Sequence, residues 1–180
     1  MTVLAHAAIK GGPGALHEDL DEDFADTVVN AWRACGWRAA SEGASAAIEI
    51  VRIERLITVA INTRLKALGL TYARFEVLVQ LLFRDAPVGV RDLSDSLQVH
   101  PTSVSSALEG LENSGYVKIV PHQSDGRRVV IRLTALGRTA LDEAVEILNR
   151  DIFSQLGLSS GEMVTFLRVL ERLRANAGDF

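Results

Sequence analysis

Thr102, Ser103, Ser105 and Ser106 crowd four hydroxyls into five residues, and a little further along Asp125-Gly126-Arg127-Arg128 sets a carboxylate beside two guanidinia. A hydroxyl both donates and accepts hydrogen bonds, and a guanidinium is a rigid fork of donors that matches phosphate oxygens. Short hydroxyl side chains let a helix backbone approach base edges closely in a major groove. An arginine on a projecting hairpin enters a narrow minor groove or pairs with phosphates, and Asp125 can hold the Arg127 guanidinium by a bidentate bond. This is chemistry for gripping a polyanionic duplex, with no nucleophile and base set up to break a bond.

The pattern around these residues specifies what must hold them. Arg91 to Leu97 reads as a short helix with Leu93 and Leu97 on one face. After Gln98 to His100, Pro101 opens a second helix at the position that tolerates its missing N–H. Val104, Leu108 and Leu111 form one apolar stripe along Pro101 to Asn113, and Thr102, Ser103, Ser106 and Glu109 occupy the opposite face, with Ser105 at the boundary. Two helices joined by three residues match a helix-turn-helix. Gly115 stops the second helix. Two alternating strands follow, Val117 and Ile119 against Lys118, then Val129, Ile131 and Leu133 against Val130 and Arg132, with the turn expected at Ser124-Asp125-Gly126. The fold expected is mainly α with a small β-hairpin wing, a winged helix-turn-helix core between N- and C-terminal dimerisation helices.

Asp125-Gly126-Arg127-Arg128, together with Leu111-Glu112-Asn113-Ser114-Gly115-Tyr116-Val117 and Ile131-Arg132-Leu133-Thr134-Ala135-Leu136-Gly137, resembles the MarR family of bacterial transcriptional regulators, over Ile48 to Leu173. The resemblance implies an obligate homodimer on a pseudo-palindromic operator, and repression relieved by a small molecule or an oxidant. It assigns Thr102, Ser103, Ser105 and Ser106 to recognition-helix contacts with bases or backbone, and Asp125 and Arg127 to the wing. Two departures stand out. Relatives commonly carry a basic residue where Ser106 stands and another near Gly110, whereas Pro101 to Asn113 holds neither Lys nor Arg; phosphate anchoring then leans on the wing and on helix N-terminal N–H groups. His100 replaces the usual N-cap serine, so a weaker cap is expected.

Charge sharpens the picture. The chain of 180 residues has a formal net charge of −4, which by itself disfavours a nucleic-acid partner. Met1 to Ser45 holds three basic against seven acidic residues and accounts for the whole imbalance, so the remainder is neutral. Within it, Lys118, Arg127, Arg128 and Arg132 face only Asp125, a local excess of positive charge that includes Lys118 in the expected DNA-contact set.

Composition excludes other classes. A hydrophobic fraction of 48% with positive mean hydropathy is rich for a monomer and implies a covered apolar face. The single cysteine, Cys35, rules out an intrachain disulfide and suits a reducing cytoplasm. No apolar run is long enough to span a membrane and no secretion signal precedes the domain, so a cytoplasmic location is expected. Gly11-Gly12-Pro13-Gly14 lacks the strand before and the Lys-Ser or Lys-Thr after that a phosphate loop needs, and reads as a tether. His6, His17, His100 and His122 show no metal-ligand spacing. No enzyme activity, cofactor or metal is expected.

The organisation expected is a flexible segment at 1–14, an extension helix at 15–45, a dimerisation helix at 46–70, the DNA-binding domain at 71–133 and dimerisation helices at 134–180. Leu16, Leu20, Phe24, Val28, Trp32 and Cys35 form the stripe of the extension, and Thr134 and the pair Ser159 and Glu162 read as caps of the last two helices. Trp32 reads either as a core anchor or as part of an effector pocket, Trp37 as a surface residue, and Cys35 as inert or as an oxidant sensor. A urate-responsive branch of the family carries an N-terminal Trp helix, an acidic residue before the reader and an Arg in the recognition region; Trp32 and Glu76 resemble the first two, and a Ser stands at the third. An effector is expected where dimer helices meet the reader, near Trp32, Arg74 and Glu76. A winged-helix adaptor that docks a protein partner and no longer reads DNA is the alternative, favoured by the uncharged recognition helix and opposed by the intact Asp125-Gly126-Arg127-Arg128 tip.

Overall fold

The computed structural model describes residues 24–84, 88–122 and 125–178, with 24, 25, 122, 125–128 and 177 described by backbone alone. The chain divides at Leu56 and Ile57 into two compact units. In the first, α1 (Phe24–Ala34) ends before a 3-10 turn at Arg38–Ala40, and α2 (Ser41–Leu65) begins directly after it and runs on through the division. α2 starts ahead of the expected 46 because the apolar residues that mark the helix begin only at Ile48. Alanines and a buried Ser41, whose hydroxyl donates to the Arg38 carbonyl at 3.1 Å, carry the helix before that. Leu16 and Leu20 of the extension stripe lie outside the described residues.

The second unit is built around α3 (Tyr72–Leu82), α4 (Val90–Leu97), α5 (Pro101–Asn113), a hairpin of β1 (Val117–His122) and β2 (Asp125–Leu133), and α6 (Ala135–Asp151). Its core joins Ile61 and Leu65 to Phe75, Val77, Leu78, Leu93, Val104, Leu108, Leu111, Val117, Ile131, Leu141 and Leu148. The α5 stripe is buried as its spacing requires, with Ala107 completing it. Gly115 adopts φ 72°, the left-handed geometry that a side chain would strain, and so turns the chain out of α5 into β1. Thr134 caps α6 by accepting the Gly137 N–H at 2.9 Å, and Ser159 with Glu162 forms the capping box of α7 (Ser160–Ala177), both at the expected positions.

The hairpin differs from the expectation in two details. β2 starts at Asp125, which pairs with His122, so Asp125 and Gly126 belong to the strand instead of the turn. Register shifts between Pro121 and His122, where Pro121 has no N–H for the ladder. Next to that irregularity Val129 is 44% exposed while Val130 and Ile131 are both buried, so the strict alternation fails there. Val88 extends the hairpin by a bridge, its carbonyl accepting the Ile131 N–H at 2.9 Å.

Leu108 is 1% exposed on the face that seats α5. Leu108→Ala is expected to lose about 2–5 kcal/mol of stability through lost transfer energy and a residual cavity, measurable as a lowered urea midpoint.

Candidate nucleic-acid interface

Burial of Val104, Ala107, Leu108 and Leu111 leaves α5 one exposed face, and Thr102, Ser103, Ser105 and Ser106 all stand on it. They are not equivalent. The Ser105 hydroxyl donates to the Pro101 carbonyl at 3.0 Å, a bond inside its own helix. Thr102, Ser103 and Ser106 instead line an open cavity of about 500 Å³ whose other wall is Thr71, Ala73 and Arg74 of the α3 end. The start of α5 is capped by His100: its ring Nδ1 accepts the Thr102 N–H at 3.2 Å and lies 3.0 Å from the Thr102 hydroxyl, so an imidazole nitrogen takes the role of the serine oxygen.

Arg74 arrives at this surface from another helix. Its backbone N–H donates to the Thr71 cap at 3.3 Å, and its Nη1 donates to the Gly69 carbonyl at 2.9 Å. From there the guanidinium lies so close over Gly110 of α5 that a methyl group on that residue would collide with it. Sequence reasoning grouped Arg74 with the effector residues; the fold places it beside the recognition face, and the only signal in the chain was a glycine interrupting a helix.

On the wing, Lys118 and Arg132 are register partners across the ladder and both are exposed. Like charges opposite each other weaken a hairpin, so this pair adds positive potential at a structural cost. Arg132 was counted in the charge balance but not singled out as a contact, because its pairing with Lys118 depends on register. The side chains of Asp125, Arg127 and Arg128 lie outside the described residues; their backbone is in β2.

Of the other expected effector residues, Trp32 belongs to the first unit, where its ring meets Trp37 edge to face at 5.4 Å, half-buried against an exposed partner. Glu76 sits half-buried on α3 in the second unit. Burial pushes its carboxyl above the ordinary range, against a smaller downward pull from the Tyr72 hydroxyl. Cys35 is a free, exposed thiol. Among the described residues no group of three His, Cys, Asp or Glu could hold a metal ion, and no helix is long and apolar enough to cross a membrane.

The family model that matches, the MarR family, covers residues 68–128, from the approach to α3 to the first residues of β2. The HTH-type transcriptional regulator PecS of Dickeya dadantii is 31% identical over 124 residues, which are 66% of this chain and 73% of PecS. The chain belongs to the MarR family. Among solved structures, Sco5413, a MarR family transcriptional regulator from Streptomyces coelicolor, matches with a TM-score of 0.69 and 29% identity, covering 77% of this chain and 96% of Sco5413. A mutant MarR from E. coli complexed with operator DNA shares the fold at a TM-score of 0.67 and 23% identity, covering 74% of this chain and 96% of that one. This MarR-family chain is thus a transcriptional regulator by family, with α3, α4, α5 and β1 inside the matched region and β2 running past its end.

The raised Glu76 carboxyl has a pH consequence. A folded state that holds a proton more tightly than the unfolded chain loses stability as that proton leaves, so stability should fall as pH rises from 4.5 through the raised value. Glu76→Gln is expected to remove that part of the decline, seen by comparing urea midpoints of both proteins from mildly acidic to neutral pH.

Proposed function

We infer that this MarR-family protein is a ligand-responsive repressor that binds a pseudo-palindromic operator as a homodimer, with α5 in the major groove and the hairpin at 117–133 over the adjacent minor groove. The observation that carries the reading is the exposed hydroxyl face of α5 lying in one compact unit with a wing that sets Lys118 against Arg132. Buried apolar residues fix which side of α5 faces outward, and two cations paired across the wing suit a polyanion. Thr102, Ser103, Ser105 and Ser106 would meet bases or backbone, and Lys118, Arg127 and Arg128 the flanking phosphates and minor groove, with Asp125 holding the Arg127 guanidinium. Serine and threonine pair with any base edge, so much of the sequence preference would come from groove shape.

The dimer reading rests on uncovered apolar surface. In α7, Val164, Phe166, Leu167, Val169 and Leu173 are all exposed, and none of its described residues is buried. A second copy of the chain would cover them, and a two-fold pair presents two reading helices about one DNA turn apart. In this reading 46–70 and 134–180 supply the dimer helices, 15–45 extends them, and the protein works in the cytoplasm without catalysis. An effector would act by favouring one spacing of the two reading heads.

Selection of bound sites from random duplexes tests the proposal: a palindromic consensus is expected, and binding with no preference over competitor would leave the adaptor alternative standing. With the selected duplex, Arg127→Ala should weaken binding and flatten the dependence of log affinity on log salt by about 1.8, one phosphate contact being lost from each protomer of the dimer. Light scattering should give twice the chain mass for the native protein, while Leu167→Glu, which sets a charge in the shared apolar face, should shift it toward the monomer and weaken operator binding with it.

A further inference from the structure

Along Pro101–Asn113 the reading helix has no positive charge of its own, and its exposed face carries Glu109 and Glu112. A helix with that balance meets repulsion on approaching a phosphate backbone unless a cation from elsewhere is set against it. Arg74 is so placed. Its Nη1 is tied to the Gly69 carbonyl, its guanidinium lies over the bare Cα of Gly110, and no ion pair to a carboxylate holds it among the described residues. The cavity beside it is lined by this one cation, by the hydroxyls of Thr71, Thr102, Ser103 and Ser106 and by the methyl groups of Ala73 and Ala107, with no carboxylate in the lining. Four hydroxyls around a single positive charge suit one phosphodiester with its acceptor-only oxygens.

We propose that Arg74 is the missing cation of the reading helix, delivered by α3 through the gap at Gly110, and that it binds one DNA backbone phosphate in the cavity it shares with Thr71, Thr102, Ser103 and Ser106. The proposal rests on the DNA-reading function above and moves Arg74 from the effector group to the DNA-contact group. Gly110 has a defined part in it. An alanine at this helix-interior position favours the helix by propensity, and its methyl displaces only the end of a flexible side chain, so folding tolerates the change while the guanidinium must leave its seat.

The test uses the full-length protein and a fluorescent duplex from the selection, with affinity read across a salt series for the wild type, Arg74→Ala, Arg74→Lys and Gly110→Ala, and with Arg127→Ala as the wing control. Arg74→Ala should bind about sixtyfold more weakly at ~0.1 M salt, with a log–log slope flatter by about 1.8, since each of the two protomers loses one phosphate contact. Arg74→Lys should keep the slope while losing part of the affinity, because the charge stays and the planar fork goes. Gly110→Ala should weaken binding in the same direction with an unchanged or raised melting temperature. If Arg74→Ala and Gly110→Ala match the wild type in affinity and slope while Arg127→Ala does not, the DNA reading stands and this inference is overturned. If the wild type prefers no duplex, both fall. If inorganic phosphate without DNA raises the melting temperature of the wild type but not of Arg74→Ala, and the DNA slopes are equal, the cavity takes a free anion and the inference is again overturned. Should Arg74→Ala misfold, Arg74→Lys and Gly110→Ala decide the matter by the same readouts.

Discussion

One-sided burial of α5 is the constraint from which the reading surface follows. Val104, Ala107, Leu108 and Leu111 are each at most 7% exposed, and together they leave the helix no freedom to rotate about its axis. A rotation of one residue position, about 100°, would bring a serine into the core without a partner and a leucine into water, costing several kcal/mol by the usual price of each misplacement. The hydroxyls therefore face outward because the leucines cannot. The same burial sets Gly110 toward α3, which is how a residue from a different helix comes to share that face.

The turns around α5 are pinned by polar atoms more than by apolar contact. Between α4 and α5, Gln98 adopts φ 53°, an uncommon geometry for a residue with a side chain. Buried Ser94 holds it in place: its hydroxyl donates to the Val99 carbonyl at 2.6 Å while its own carbonyl accepts the Val99 N–H at 3.2 Å. On the other side, the Tyr116 hydroxyl donates to the Leu68 carbonyl at 2.9 Å, and the Thr134 hydroxyl donates to the Gly115 carbonyl at 2.8 Å while capping α6. These bonds tie the exit of α5, the wing and the two helices that flank them into one body, so the hairpin and the hydroxyl face move together.

Features written in local periodicity were legible from the residues alone. The α5 stripe, the stop at Gly115, the caps at Thr134 and Ser159 and the extent of the hairpin all depend on neighbours a few positions apart. Features that depend on which distant residues meet were not. Nothing in the residues near Arg74 announces that it will lie over Gly110, since that approach is decided by how α3 and α5 pack. The cationic pair Lys118 and Arg132 emerges only once the strand register is known, and the failure of alternation at Val129 only once the shift beside Pro121 is known. Gln98 carried no signal at all, because its geometry is imposed by Ser94. The cap at His100 stands at its expected position, with the ring Nδ1 as the acceptor of the Thr102 N–H.

A reading surface with so few cations changes the balance between finding DNA and choosing among sequences. On the proposed function, phosphate attraction comes from the wing and Arg74, while α5 contributes two carboxylates that oppose it. Non-specific affinity scales with the number of phosphates neutralised, so this protein would bind arbitrary duplex weakly and with a shallow salt dependence. Specific affinity draws on contacts that a poor charge count does not diminish: close approach of a small-side-chain helix, hydroxyls in hydrogen-bond reach, and two-fold symmetry that counts every favourable contact twice. Occupancy in a cell is set by the ratio of the two affinities, and a charge term common to every duplex leaves that ratio unchanged, so discrimination on this reading comes from the contacts that only a matching site makes. The carboxylates on α5 would lower the affinity for every duplex by the same factor, and only a site whose grooves match the helix and the wing would offset that loss.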